Sequence, residues 1–291
     1  MAKQPSLFHQ ARMELEGKFA FGQSKHKAKE TGDNVNWIYS HSTATNYFTV
    51  SKQFTDWCKE NHGIKNLADA RALAPDYLNH RISSGKAAST IARDAAALGK
   101  LFGCSKKDFG VNYPKRHRED FTRSRNANTV RAKHYNPENH KEVEAFTKAT
   151  GLRRSEVATL KLKDVVFKDG KVIVNVVDNK GKGGKDRWVE ALDPEAVAKI
   201  CELAKDNPSG LVFESLPSHM DIHANRALFA EALYKLHARD ISTLSRGEKY
   251  ICRADKLGTV YDRRAMAIVS KALGHNRLNV IAQSYLGKVY K

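Results

Sequence analysis

The chain has 291 residues, 41% hydrophobic and 9% aromatic, enough apolar material for one large packed domain or two modest ones. Lys and Arg number 50 against 32 Asp and Glu, a formal charge of +18 with a pI near 9.7; this excess calls for a polyanionic partner, nucleic acid ahead of an acidic membrane. Cys58, Cys104, Cys201 and Cys252 form no CxxC pair or metal-ligand spacing, and neither an apolar leader core nor a run of membrane-spanning length is visible, so disulfide scaffolds, secretion and membrane insertion are set aside and a reducing cytoplasm is expected.

Residues 1–33 are polar and basic without sustained periodicity, and read as a basic extension holding at most one short helix, more disordered than folded. From Asn34 the pattern changes. Tyr47, Val50, Phe54 and Trp57 recur at helical spacing, Thr43 or Thr45 is available as a cap, and the stretches Leu67 to Tyr77 and Ser89 to Phe102 offer further apolar faces. A small all-helical domain is therefore expected over 34–112.

Residues 113–133 read as a basic linker, within a wider run from Ser105 that is dense in Lys and Arg and poor in apolar residues. Its plain reading is a solvated connection; the sharper one, favoured by the basicity of the whole chain, is a strap that follows phosphates through Lys106, Lys107, Lys115, Arg116, Arg118, Arg123, Arg125 and Arg131. Such contacts supply affinity without sequence information.

A second domain is expected over 134–291. Asn136 can cap a helix with Pro137 at its first position, and that helix stops near Gly151. LRRSEVATLKLKDV suggests another helix. VVF and KVIVNVV flank Lys168-Asp169-Gly170-Lys171, a hairpin turn, and RWVEAL follows the Gly-Lys loop DNKGKGGKD. That loop is not an ATP-binding P-loop, since Lys185 is followed by Asp186 and a strand rather than by Ser or Thr and a helix. Helices resume at Asp193-Pro194.

Four places carry candidate chemistry: GLRRSE at Gly151 to Glu156, the Gly-Lys loop, Tyr250-Ile-Cys-Arg253, and Leu273-Gly274-His275 with Tyr285 beyond it. Each alone is more often a surface charge, a solvated hairpin tip, a helix end or a half-buried aromatic. Their order and spacing together resemble the tyrosine recombinase (phage integrase) family, of prophage or genomic-island type, over the whole second domain, with ATGLRRSEVATLKLKDV and ALGH the most specific segments.

The resemblance implies a mainly α fold with a small antiparallel β-sheet or hairpin, in which a helical, DNA-binding core-binding domain (34–112) precedes a mixed α/β catalytic domain (134–291). It implies Arg153 as first catalytic arginine supported by Glu156, Lys182 as hairpin lysine with Lys180 and Lys185 as competitors, Arg253 as second arginine, His275 as third-box histidine and Tyr285 as nucleophile. Arg263 and Arg264 lie too close to His275 for the second arginine, and Tyr290 lies farther from the LGH segment than the family usually allows. The second box is normally His-x-x-Arg, whereas Tyr250 stands at that position here, and the tyrosine comes one residue later than is commonest; a divergent branch is expected.

The chemistry fits the residue types. Displacement at a phosphodiester gathers charge on the non-bridging oxygens, so fixed cations must face it, and arginines present bidentate donors that stay protonated. By resemblance, the tyrosine forms a covalent 3′-phosphotyrosyl link, the hairpin lysine protonates the leaving 5′-oxygen, and the histidine assists. No metal and no cofactor are expected. The implied partners are double-stranded DNA attachment sites, joined by a homotetramer on two sites that is a monomer or weak oligomer when free, with an accessory DNA-bending or directionality factor as a further candidate. The alternatives are a type IB topoisomerase-like nicking and closing enzyme and an inactive, recombinase-derived DNA-binding protein.

Overall fold

The computed structural model describes residues 4–32, 36–117, 135–177, 186–207, 209–253 and 256–286. Contacts divide the chain into two units, Met1–Asp120 and Phe121–Lys291.

The first unit is helical: α1 (Leu7–Glu16), α2 (Lys25–Glu30), α3 (His41–His62), α4 (Leu67–Ala70), α5 (Ala74–Ser83) and α6 (Ala88–Phe102). Ser40 rather than Thr43 or Thr45 caps α3, its hydroxyl accepting from the Thr43 N–H at 3.3 Å. The buried stripe of α3, Val50, Phe54 and Cys58, shares one core with Tyr77 and Leu78 of α5 and Ala95 and Leu98 of α6. Burial pushes the Cys58 thiol up to about 12, the behaviour of an inert core cysteine.

Residues 1–33, expected as an unpacked extension, depart from that reading. Leu7, Ala11 and Leu15 of α1 share one helical face and are buried in the same core as α3 and α6. Beyond α1, a parallel bridge joins Phe19 to Ile38, and the Lys18 ammonium donates to the carbonyls of Lys100 and Leu101 at 2.7 and 3.0 Å. Three small or medium apolar residues among charged neighbours make a weak periodic signal, and packing decides the outcome.

The second unit opens with a 3-10 turn at Pro137–His140, capped by Asn136, and α7 (Lys141–Thr150). The helix expected from LRRSEVATLKLKDV is only α8 (Arg154–Val157), because the Leu160 carbonyl accepts from the Val212 N–H and the Leu162 N–H donates to the Gly210 carbonyl instead of continuing it. Strands β1 (Val165–Lys168), β2 (Lys171–Val176) and β3 (Arg187–Glu190) form an antiparallel sheet in that order. The β1–β2 register pairs Lys168 with Lys171, so Asp169 and Gly170 form a two-residue turn with φ of 50° and 70°.

Pleating sends Val172, Val174, Val176, Val189 and also Arg187 inward, and Trp188 and Glu190 outward. Then come α9 (Pro194–Leu203), α10 (Ile222–His237), the antiparallel pair β4 (Lys249–Ile251) and β5 (Val260–Asp262), α11 (Arg263–Ala272) and α12 (Leu278–Ser284). Strands β4 and β5 were not anticipated; three residues each, they carry too few positions for an alternating pattern. Phe146, Leu152, Val157, Val174, Val189, Phe229, Met266, Val269 and Ile281 belong to one continuous core.

Candidate active site

The site grows from two helix ends. Helix α7 stops at Gly151 in the left-handed region (φ 60°), where a Cβ would stand 2.3 Å from the Phe229 ring, so only glycine fits. Leu152 is then buried and Arg153, extended, starts α8. Helix α11 ends before Gly274 (φ 63°), where a Cβ would lie 3.0 Å from Cδ of Arg187. Both glycines let the chain turn where an arginine or a ring passes close by.

Glu156 is fully buried and accepts from four donors on two arginines. The Arg153 backbone N–H donates at 2.8 Å and its Nη1 at 2.6 Å. From β3, Arg187 donates Nη1 at 3.0 Å and Nη2 at 2.7 Å in a two-pronged pair, and its Nε donates to the Ala272 carbonyl at 3.0 Å. Burial disfavours the Glu156 charge, but hydrogen bonding and charge from Arg187, then Arg153, outweigh it and hold the carboxyl at about 2. Glu156 is thus ionised and fixes the guanidinium of Arg153, which also donates Nη2 to the Leu273 carbonyl at 3.1 Å. Arg154 turns away, to the carbonyls of Pro217 and Met220 at 2.8 and 2.7 Å.

Tyr285 follows α12 and is 5% exposed. Its hydroxyl oxygen lies 3.2 Å from Nε of Arg226 and 3.2 Å from Nε2 of His275. Arg226, on α10, is fully buried; its other nitrogens donate to the carbonyls of Gly151 and Leu273. Burial lowers Arg226 to about 10, an effect opposed by Tyr285, so the guanidinium remains charged at neutral pH. The Leu273 carbonyl therefore ties Arg153 and Arg226 together. His275 is oriented by its backbone N–H donating to Ser270 O at 2.7 Å and by the Ser270 hydroxyl donating to His275 O. An open pocket of about 620 Å³ lies against Arg153, Ser155, His223 and Arg226, and one of about 400 Å³ against Arg187, Trp188, Lys271 and His275.

Of the expected catalytic residues, the structure brings Arg153, Glu156, His275 and Tyr285 together. It does not bring Arg253 to Tyr285: Arg253 is exposed just beyond β4, and the arginine at the tyrosine hydroxyl is Arg226. Tyr250 is half-buried on β4, paired across the sheet with Tyr261. Lys182, with its competitors Lys180 and Lys185, lies outside the described residues, as do Arg118, Arg123, Arg125, Arg131 and Tyr290. Lys106 and Lys107 sit exposed on a 3-10 turn of the first unit, and Lys115 and Arg116 are exposed after it. Among the described residues no group of three or more His, Cys, Asp or Glu is placed to hold a metal ion, and no helix is long and apolar enough to cross a membrane.

Two arginines were missed in the sequence. Arg226 carried a signal, for His223-Ala-Asn-Arg226 has the His-x-x-Arg spacing. Arg187 alternates in register with the buried valines of the sheet, a position where charge is unexpected without a partner such as Glu156.

No protein-family model matches the sequence, and no curated protein matches it. Solved structures do. One is the XerH site-specific recombinase bound to palindromic difH substrate in a post-cleavage complex, 14% identical, with 97% of this chain and 91% of that one covered and a TM-score of 0.56. Another is the Tn1549 transposon integrase in complex with a circular intermediate DNA, 13% identical over 98% of this chain and 96% of that one, with a TM-score of 0.51. Both likenesses run through nearly the whole length of the chain, and with the helical first unit and the mixed second unit they establish that the chain has the two-domain tyrosine recombinase fold.

Proposed function

We propose that the protein is a site-specific DNA recombinase that cuts and rejoins DNA strands through Tyr285, integrating or excising a mobile element. The observation that carries this reading is the tyrosine hydroxyl held at 3.2 Å by a buried arginine and by a histidine, beside a second arginine locked by an ionised carboxylate. A tyrosine kept only for packing needs no such partners.

In this reading Arg153 and Arg226 bind the non-bridging oxygens of the scissile phosphate from the pocket they line. Tyr285 attacks phosphorus, its hydroxyl proton passing toward His275, and the 3′-phosphotyrosyl bond forms as the bond to the 5′-oxygen breaks. The leaving 5′-oxygen takes a proton, for which Lys182 is the candidate donor, with Lys180 and Lys185 as competitors. Attack of a 5′-hydroxyl from another strand reverses the step and restores Tyr285. Because the ester energy is kept in the protein–DNA bond, no nucleotide cofactor is needed. Glu156 and Arg187 hold Arg153 in place.

The second-box role passes from Arg253 to Arg226, and His223 takes the histidine position that Tyr250 was given. With that change the reason for an inactive DNA-binding protein falls away. The +18 charge supports duplex DNA as partner, with Lys106, Lys107, Lys115 and Arg116 as phosphate contacts in the first unit and Arg118, Arg123, Arg125 and Arg131 as further candidates. Assembly as a homotetramer on two attachment sites in the bacterial cytoplasm, with an accessory bending or directionality factor, belongs to the same proposal.

A pool of nicked duplexes with randomised centres, in which cleavage releases a short fragment and traps the intermediate, tests it. Wild-type protein is expected to become covalently joined to DNA, and Tyr285→Phe is not. Tight DNA binding with no adduct from the wild type on any duplex would reject the enzyme.

A further inference from the structure

The connection between β4 and β5 carries a lysine that the proposed chemistry does not use. Lys256 is only 8% exposed. Its ammonium donates to the Leu286 carbonyl at 2.6 Å, to the Ala282 carbonyl, and to the Tyr261 hydroxyl at 3.3 Å. Ala282 lies in the last turn of α12 and Leu286 directly follows Tyr285, so the two carbonyls bracket the nucleophile along the chain.

Burying an ammonium is unfavourable unless dipoles or charges replace its water. The C-terminal end of a helix presents unpaired carbonyls with partial negative charge, which is where a cation is best accommodated. Lys256 is itself held in place: its carbonyl accepts from the Thr259 N–H at 3.0 Å, and the Cys252 N–H donates to the Thr259 carbonyl at 2.9 Å, closing the connection at its base. Tyr261, beside it, is fully buried in the core of the second unit.

We propose that Lys256 is a positioning residue for Tyr285, clamping the end of α12 so that the nucleophile's backbone is fixed in the same chain as Arg226 and His275. This inference rests on the reading of Tyr285 as the nucleophile. The tyrosine side chain hangs from a segment just past a helix end, where fraying is easiest. Its hydroxyl reaches both partners at 3.2 Å, and a displacement of about 1 Å at a reacting group can lower a rate by about 10²-fold. The clamp holds the backbone end of the same side chain whose hydroxyl is held by Arg226 and His275.

The test uses the full chain, wild type, Lys256→Met and Lys256→Arg, on a nicked duplex that the wild type cleaves. Single-turnover adduct formation at saturating DNA, DNA affinity, and amide hydrogen exchange are read together. Lys256→Met is expected to lower the saturating rate by about 10- to 100-fold with DNA affinity unchanged, and to speed exchange at Tyr285 and Leu286 while the amides of α11 keep their protection. Lys256→Arg, which can still donate to both carbonyls, is expected to recover most of the rate. A wild-type rate and wild-type exchange in Lys256→Met would overturn the proposal. So would loss of protection in α11 and α12 together with general melting, which would assign Lys256 to the stability of the unit rather than to the tyrosine. Absence of any adduct from the wild type rejects the recombinase reading itself; the exchange experiment on free protein still reports whether the clamp exists.

Discussion

The two units bury charge very differently. Among the described residues, the first unit buries one charged side chain, Asp94, paired with Arg81 and Arg93. The second buries Glu156, Asp164, Arg187, Arg226, Lys256 and Asp262. Replacing a buried ion pair by well-packed apolar residues is often neutral or stabilising, so charge in a core is weak evidence of a stability device. Here most of it converges on a tyrosine and the arginines beside it. Asp164 and Asp262 are the exceptions, serving structure: Asp164 accepts from the Lys161 N–H at 2.9 Å, and Asp262 accepts from Arg239 and from the Arg264 N–H, which hold its carboxyl well below the usual range and tie the start of α11 to the stretch after α10.

The largest effect that would sharpen this contrast comes from Arg226. In the proposed chemistry, truncation to alanine removes a positioned cation facing developing charge, and single-turnover cleavage is expected to fall by about 10²–10³-fold. DNA affinity, carried by many basic residues, is expected to change little. Cleavage within threefold of wild type would mean that the charge beside Tyr285 is structural.

Glu156→Gln comes next. It leaves Arg153 and Arg187 facing a neutral amide, and breaking a buried pair typically costs about 3–5 kcal/mol. The pH signature is specific. A carboxyl lowered from 4.5 to about 2 on folding contributes stability that is complete above its ordinary value and is lost as pH falls through the folded value. Urea unfolding between pH 4.5 and 2 should therefore show a steeper acid loss for wild type than for Glu156→Gln. Parallel curves would show that Glu156 is not the titrating group.

The first unit offers the apolar counterpart. Leu98 is fully buried in the core formed by the helices of that unit. Leu98→Ala is expected to destabilise by about 2–5 kcal/mol through lost burial and the cavity left behind. Cleavage per folded molecule should stay within severalfold of wild type when binding is saturated. A large loss at saturating DNA would show that the first unit contributes more than binding.

What could be read in the sequence divides along the same line. Helical faces such as Val50, Phe54 and Trp57, the Asp169-Gly170 turn, and the segments GLRRSE and LGH announce themselves locally, through periodicity or through adjacent residues. Arg187 did not, since its partner Glu156 lies on another element and only folding joins them. Helix α1 did not, its short apolar face being stabilised by packing rather than by propensity. Arg226 was legible as His223-x-x-Arg226, but a reading by distance to the LGH segment favours the nearer arginine and passes over it. The β4–β5 pair stands between α10 and α11, so chain distance there does not report spatial distance.

Arg253 is where that difference can be tested with the smallest expected effect. An exposed arginine beyond β4 is solvated, and substitutions at such sites usually alter stability by no more than about 0.5 kcal/mol. Arg253→Ala should therefore melt like wild type and cleave within about threefold of it, because a change of that size in a barrier is worth only a small factor. Tyr250→Phe, at the other half of the displaced second box, should behave in the same way. If Arg253→Ala instead loses cleavage as fully as Arg226→Ala while both bind DNA, then Arg253 moves to the phosphate when DNA is bound. The arginine that meets Tyr285 in the free protein would then hold the tyrosine rather than the phosphate.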